Sequence, residues 1–273
     1  MDQNRQIRRF FETLRRAWGP QHWWPAESEF EVIVGAILTQ NTAWTNVEKA
    51  LANLRGANAM SVGAIREIPL EALERLVRPA GFFRQKAARL KGFVAWLDER
   101  HEGSLEKMFA RETGELRAEL LKLNGIGPET ADSILLYAGQ HEVFVVDAYT
   151  RRILERHGVV KAETRYDEIR EMIEAAFRES APGDAVAAAP LPSPEGERGP
   201  GPAEEIPILT IHPPSPMSEA VRSPLAQGYN ELHALIVQVG KHYCLCREAR
   251  CEECPLRAYL NGKTVKVRTA KRE

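Results

Sequence analysis

Outside residues 244–254 the 273-residue chain has no cysteine at all. A disulfide framework spreads its cysteines along a chain to close loops, so none is expected here. Packed into one short segment, Cys244, Cys246, Cys251 and Cys254 read instead as metal ligands in a reducing compartment. Long apolar runs are also missing. The longest, residues 30–38, is broken by Glu31 and Gly35 and is too short to span a bilayer. The first ten residues carry Asp2, Arg5, Arg8 and Arg9 where a signal peptide would place its apolar core. The expectation is a cytoplasmic chain with no membrane partner. A strong net charge is lacking too: 38 acidic against 37 basic residues give −1, which by itself argues neither for nor against a polyanionic partner.

What is present is helical periodicity. Phe10, Phe11, Leu14 and Trp18 recur at helical spacing, and Ser28 stands where it can cap a helix through Phe30, Ile33, Val34, Ile37 and Leu38. Further helical stretches run near 46–55, 70–76, 84–99, 115–122, 129–138, 148–156 and 166–178. The best strand candidate, residues 141–146, serves equally as an extended link. The expected class is all-α. Between residues 182 and 224 lie eleven of the seventeen prolines, interleaved with Gly, Ala, Ser and Glu. Such a composition buries too little apolar surface to offset its ordering entropy. The expected division is therefore a helical region over 1–180, a disordered Pro-rich insertion over 181–226, a terminal helix and cysteine loop over 227–258, and a basic tail over 259–273.

The most telling stretch is Leu123-Asn124-Gly125-Ile126-Gly127-Pro128-Glu129-Thr130-Ala131. It predicts two short helices joined by a Gly-x-Gly hairpin. Gly125 and Gly127 permit backbone conformations closed to other residues and let another backbone come close. Pro128 suits the first turn of a helix, whose N–H groups favour a phosphate. Asp147 follows sixteen residues past Ala131, before Ala148-Tyr149-Thr150-Arg151-Arg152. It is placed to cap a helix.

With these motifs the chain resembles the helix-hairpin-helix DNA glycosylase superfamily that includes endonuclease III. The resemblance rests on residues 123–131, on residues 145–152, and on Gly35-Ala36-Ile37-Leu38-Thr39-Gln40-Asn41-Thr42. It covers 1–178 and 229–258. It implies a two-lobed helical fold with a cleft, base excision from damaged double-stranded DNA, a monomer, and nucleoid association if the source is bacterial. Asp147 would be the catalytic carboxylate, because breaking an N-glycosidic bond builds positive charge on the sugar. Leu123, Gly125, Ile126, Gly127, Glu129 and Thr130 would hold the DNA backbone, and Gln40 and Asn41 would probe the gap left by a flipped base. Strand-cleaving members place a lysine two residues after the second glycine; here that residue is Glu129, which cannot form a Schiff base. The resemblance therefore implies a monofunctional enzyme, with Lys122 and Lys241 as the substitutes to watch. Trp24, Pro25 and Trp44 resemble the pocket of the 3-methyladenine glycosylase branch, where an aromatic face attracts a cationic base by roughly 0.5–2 kcal/mol; core packing is the competing role for these tryptophans.

Many members also hold a [4Fe–4S] cluster with spacing C-x6-C-x2-C-x5-C. Cys244, Cys251 and Cys254 match its first three positions, but the fourth is Leu260, so Cys246 would have to complete the set. Zinc in four thiolates is the alternative, and a degenerate site the third. Either metal would fasten the C-terminal segment and aim Arg247 and Arg250 at phosphate. For the whole chain three readings stand. The first is a monofunctional glycosylase for alkylated purines such as 3-methyladenine. The second is an endonuclease III-like glycosylase for oxidised pyrimidines, with AP-lyase activity through another lysine. The third is a catalytically idle DNA-binding module.

Overall fold

The computed structural model describes residues 2–178, 213–247 and 249–260. Among them every regular element is helical, and no helix is long and apolar enough to cross a membrane. The chain forms two compact units. One comprises residues 1–23, 143–214 and 221–273; the other comprises 24–142 with 215–220.

The first unit is built on α1 (Gln3–Trp18), α10 (Ala148–Arg156), α11 (Tyr166–Arg178) and α12 (Pro224–His242). The stripe seen in the sequence is the buried face of α1: Phe10, Phe11, Leu14 and Trp18 are all interior. Phe11 meets Phe177 of α11, which in turn meets Tyr229 of α12, at ring-centroid distances of 5.3 and 5.5 Å. From Gly228 to Gly240 every residue of α12 is buried, so its polar residues must find partners inside the protein. Glu231 accepts from the Gln21 backbone N–H at 2.8 Å, and Gln238 donates to the Gln21 side-chain oxygen at 3.0 Å.

The second unit holds α2 (Glu29–Leu38), α3 (Trp44–Gly56), α4 (Val62–Glu67), α5 (Leu70–Val77), α6 (Phe83–His101), α7 (Leu105–Phe109), α8 (Thr113–Leu120) and α9 (Pro128–Ser133). A wider turn over Ile134–Ala138 continues α9. Ser28 caps α2 as expected, its hydroxyl accepting from Glu31 N at 3.2 Å. α2 is buried all round and packs against α3, α6, α9 and that turn. Of its two carboxylates, Glu31 is interior and paired with Arg55 of α3. Lys86 of α6 is wholly buried, and its Nζ donates to the carbonyls of Leu38 at 2.9 Å and Ala80 at 2.7 Å. Burial, helped by the nearby Arg89, lowers its pKa to about 8. Lys86 thus closes the C-terminal end of α2, from which the Gln40–Asn41 segment emerges.

Most helices predicted from periodicity are present within a residue or two. The short α4 and α7 give no readable period. Residues 141–146 form an extended link, not a strand. Val143, Phe144, Val145 and Val146 are buried, with the Phe144 N–H bonded to Glu174 and the Val146 N–H to the Tyr166 hydroxyl, at 3.0 and 3.2 Å. Side chains here replace a ladder of neighbouring strands. The expected disordered insertion over 181–226 needs a correction at its C-terminal end. Residues 213–226 are structured: Ser215 donates to the Trp24 carbonyl at 3.2 Å, Met217 is buried, and Ser223 caps α12, which starts at Pro224. Pro216 lies in a turn and Pro224 opens α12, positions where proline is favoured. Residues 181–212, and 261–273 of the basic tail, lie outside the described residues.

The burial of Glu231 has a pH consequence. Desolvation raises its pKa from 4.5 to about 7, so the folded chain binds the proton more tightly than the unfolded chain. Stability is therefore greatest below the unfolded value, declines as pH rises through the folded one, and is level above it. Urea unfolding of wild type against Glu231→Gln should show the variant gaining relative stability by about 1–3 kcal/mol between pH ~4.5 and ~7.

Candidate active site

Asp147 is the residue before the first turn of α10, and it serves both as cap and as a candidate catalytic group. Its Oδ1 accepts from the Thr150 backbone N–H at 2.7 Å and from the Thr150 hydroxyl at 2.8 Å. With one oxygen so committed the side chain has a fixed rotamer, and Oδ2 is the oxygen left for chemistry. Asp147 retains 13% side-chain exposure, enough for contact with solvent or a ligand. Oδ2 lies 3.8 Å from Nε2 of His233 on α12. His233 is fully interior, and desolvation pushes its pKa down despite the Asp147 charge, so the imidazole is neutral near pH 7. Asp147 therefore faces a polar ring without being cancelled by a cation. Periodicity in the sequence gives no signal for His233, because a helix buried on every side carries no distinguishing face. Behind Asp147, Tyr149 lies directly against Gly240: a Cβ there would fall 2.2 Å from a Tyr149 ring carbon. The glycine lets α10 and α12 approach closely.

In the second unit the hairpin runs between α8 and α9. Gly125 has φ +82°, the left-handed region that a side chain resists. A Cβ on Gly125 would also collide with Arg89 of α6, 2.0 Å from its Nε. Gly127 is extended and exposed, and a Cβ there would meet nothing within 4 Å, so its backbone is open to a close partner. Glu129 is exposed in the first turn of α9, Leu123 is half-buried, and Ile126 points into the core. Gln40 and Thr130 are committed to each other. The Gln40 amide donates to Thr130 Oγ1 at 2.8 Å and to the Gly125 carbonyl at 2.9 Å, while Arg89 donates to its side-chain oxygen. Gln40 is thus a tie between the end of α2 and the hairpin, and the exposed neighbour Asn41, at φ +54°, is the residue presented to solvent. Sequence reasoning missed Arg89, whose only mark was its position four residues after Gln85 on one face of α6. It lines a hollow of about 630 Å³ with Gln85 and Gly92 from the same helix and Leu123, Asn124 and Ile126 from the hairpin. It also missed Phe82, 63% exposed at φ +45° after Gly81 at φ +69°. An aromatic held outward in a strained turn is a marker of contact.

The predicted base-pocket residues are neighbours. Trp24 meets Trp44 edge to face at 5.2 Å and Tyr137 at 5.1 Å. Gly35 makes room for Trp24 on α2, since a Cβ there would lie 3.2 Å from its ring. Trp24 is buried and forms a wall; Pro25 is half-buried; Trp44 keeps exposed surface, with its indole N–H held by Glu48 at 3.0 Å.

The four cysteines do not assemble as one set. Cys244, Cys251 and Cys254 line a single small cavity together with Leu260. Cys246 is exposed, and its Sγ accepts from Arg152 at 3.3 Å. A four-thiol cage completed by Cys246, as the resemblance requires for [4Fe–4S], does not fit this arrangement. Arg247 and Arg250 are exposed on the same loop.

Residues 34–179 match the family described as HhH-GPD superfamily base excision DNA repair protein. The chain is 39% identical over 259 residues to a Methanocaldococcus jannaschii protein described as a DNA repair glycosylase, covering 94% of this chain and 96% of that one. Its structure is similar to the 3-methyladenine DNA glycosylase of H. pylori solved with 1,N6-ethenoadenine, at 31% identity and a TM-score of 0.66 over 88% of this chain and 98% of that one. The fold of a trapped endonuclease III–DNA covalent intermediate matches with a TM-score of 0.65 at 18% identity, over 95% and 96% of the two chains.

Gly125→Ala combines a strained φ with overlap on Arg89. Urea unfolding should show the variant less stable than wild type by about 1–2 kcal/mol, the cost of holding a non-glycine residue in the left-handed region.

Proposed function

This chain belongs to the HhH-GPD superfamily of base excision DNA repair proteins and is a DNA glycosylase, and we propose that it is a monofunctional one, hydrolysing the N-glycosidic bond of alkylated purines in double-stranded DNA. The observation that carries the reading is Asp147. One oxygen is fixed by two hydrogen bonds from Thr150, and the other faces His233 Nε2 at 3.8 Å, beyond hydrogen-bond distance.

In the proposed reaction the bond from C1′ to the base nitrogen breaks with its electrons leaving on the base. An alkylated purine is cationic before cleavage and departs neutral, so it needs little protonation. Positive charge grows on the sugar, where the Asp147 carboxylate stabilises it. Oδ2 orients a water for attack at C1′ and accepts its proton. The neutral His233 sits beside that oxygen as a polar neighbour and leaves the carboxylate charge intact. Glu129 stands in the hairpin helix where a Schiff-base lysine would be needed, so the product is an abasic site in an unbroken strand.

For the base, the partly exposed face of Trp44 is the stacking surface, and Trp24 with Tyr137 backs it. A cation over an indole face is held electrostatically as well as by dispersion. That favours alkylated purines over neutral oxidised pyrimidines, and the named activity of the 31%-identical H. pylori relative supports the same class. On the DNA side the open backbone at Gly127 suits a phosphate. Asn41 and Phe82, both exposed in left-handed conformations, are the residues placed to fill and wedge a stack.

Three measurements bear on this. Asp147→Asn should lower single-turnover release of methylated purine by at least about 10²-fold while leaving the thermal melt within a few degrees. Trp44→Ala should cut excision of cationic methylpurine more than excision of a neutral lesion, and equal loss on both would remove the cation–π argument. With wild-type protein and methylated duplex, strand breaks should appear only after alkali, and borohydride should trap no covalent adduct. Direct nicking at thymine glycol would overturn both the monofunctional and the alkylpurine readings.

A further inference from the structure

The cysteine loop closes on a histidine that nothing in the glycosylase reading uses. His157 ends α10, at the opposite end of that helix from Asp147, and is 8% exposed. It lines the same cavity as Cys244, Cys251 and Cys254. One of its ring nitrogens is hydrogen-bonded to the Tyr259 backbone. The other, Nδ1, is buried with no hydrogen-bond partner. With Nε2 donating to the Tyr259 carbonyl, Nδ1 must carry the lone pair. A lone pair left unsatisfied in the interior calls for an explanation. An imidazole whose far nitrogen is held by a carbonyl is the usual arrangement of a metal-bound histidine.

The cavity measures about 20 Å³. That is room for roughly one water or one ion. Leu260, the residue at the fourth cysteine's position in the C-x6-C-x2-C-x5-C spacing, lines the cavity with an apolar side chain, while Cys246 points away to Arg152. Arg156 donates from one guanidinium nitrogen to Cys244 Sγ at 3.1 Å and to the Leu245 carbonyl at 2.8 Å. Three thiolates, a neutral imidazole and a divalent ion sum to a single negative charge, which Arg156 is placed to offset. Among the described residues no three such ligands stand together ready to hold an ion, so the side chains lining the cavity must reorient on loading.

We propose that Cys244, Cys251, Cys254 and His157 form a mononuclear, tetrahedral zinc site, and that Cys246 is not a ligand. Three sulfurs and one imidazole nitrogen are a donor set that zinc takes readily in closed structural sites. The ion would fasten the C-terminal loop to the end of α10. The inference is independent of which base the enzyme removes.

The test is metal content of full-length protein purified without air, together with cobalt(II) substitution. Wild type and Cys246→Ser should each carry one zinc per chain, with identical cobalt–thiolate charge-transfer spectra of three-sulfur intensity. His157→Ala should lose at least ten-fold in zinc affinity with its helical circular dichroism retained. Should that variant fail to fold, the wild-type cobalt spectrum still distinguishes three thiolates from four. Iron with acid-labile sulfide, a four-thiolate cobalt spectrum, metal loss in Cys246→Ser, unchanged zinc affinity in His157→Ala, or wild-type protein that binds no zinc would each overturn the proposal.

Discussion

A carboxylate at the start of a helix is the constraint on which the first unit turns. In the proposed reaction Asp147 must be fixed in direction and yet keep one oxygen uncommitted. Thr150 achieves the first by giving both its backbone N–H and its hydroxyl to Oδ1. α12 provides the setting for the second. Its burial on all sides keeps His233 neutral next to Oδ2, and the bare backbone of Gly240 lets α10 lie close enough for the pair to meet. A helix buried along most of its length is costly where its polar residues lack partners, and the Gln21, Glu231 and Gln238 bonds offset part of that cost.

The second unit shows the same economy with backbone groups. Lys86 gives its ammonium hydrogens to the carbonyls of Leu38 and Ala80, fixing the point at which α2 ends. Two residues further on Gln40 is tied to Gly125 and Thr130, and Arg89 secures the tie. The segment carrying Asn41 and the hairpin are thereby held as one piece. The residues expected to contact DNA or a flipped base divide into those engaged within the fold (Gln40, Ile126, Thr130, Trp24) and those left with exposed surface (Asn41, Gly127, Glu129, Trp44).

At its other end α10 meets the cysteine loop. Arg152 donates to the Cys244 and Gly240 carbonyls, and Arg156 to the carbonyls of Leu245 and Cys246. The loop is therefore anchored by the protein's own hydrogen bonds to the helix that begins with Asp147, and a metal there would reinforce a connection that already exists.

Much of this was legible in the sequence. The helical class followed from the periodicity of Phe10, Leu14 and Trp18, the hairpin from two glycines and a proline, and the Asp147 cap from its place before a helix. These are local signals, carried by neighbours three or four residues apart. The boundary of the Pro-rich segment was less legible, since composition cannot show that Met217 finds a core or that Ser223 finds a helix to cap. His233, Arg89 and His157 were not legible at all, because each acquires its role from residues tens of positions away. The cysteines make the point most directly. Spacing alone gave four candidate thiols, but whether a thiol faces a cavity or solvent depends on how the loop folds back on α10. Sequence periodicity determined which segments are helices and which residues could carry chemistry; only tertiary packing decided which of those groups are held, which are exposed, and which partners they meet.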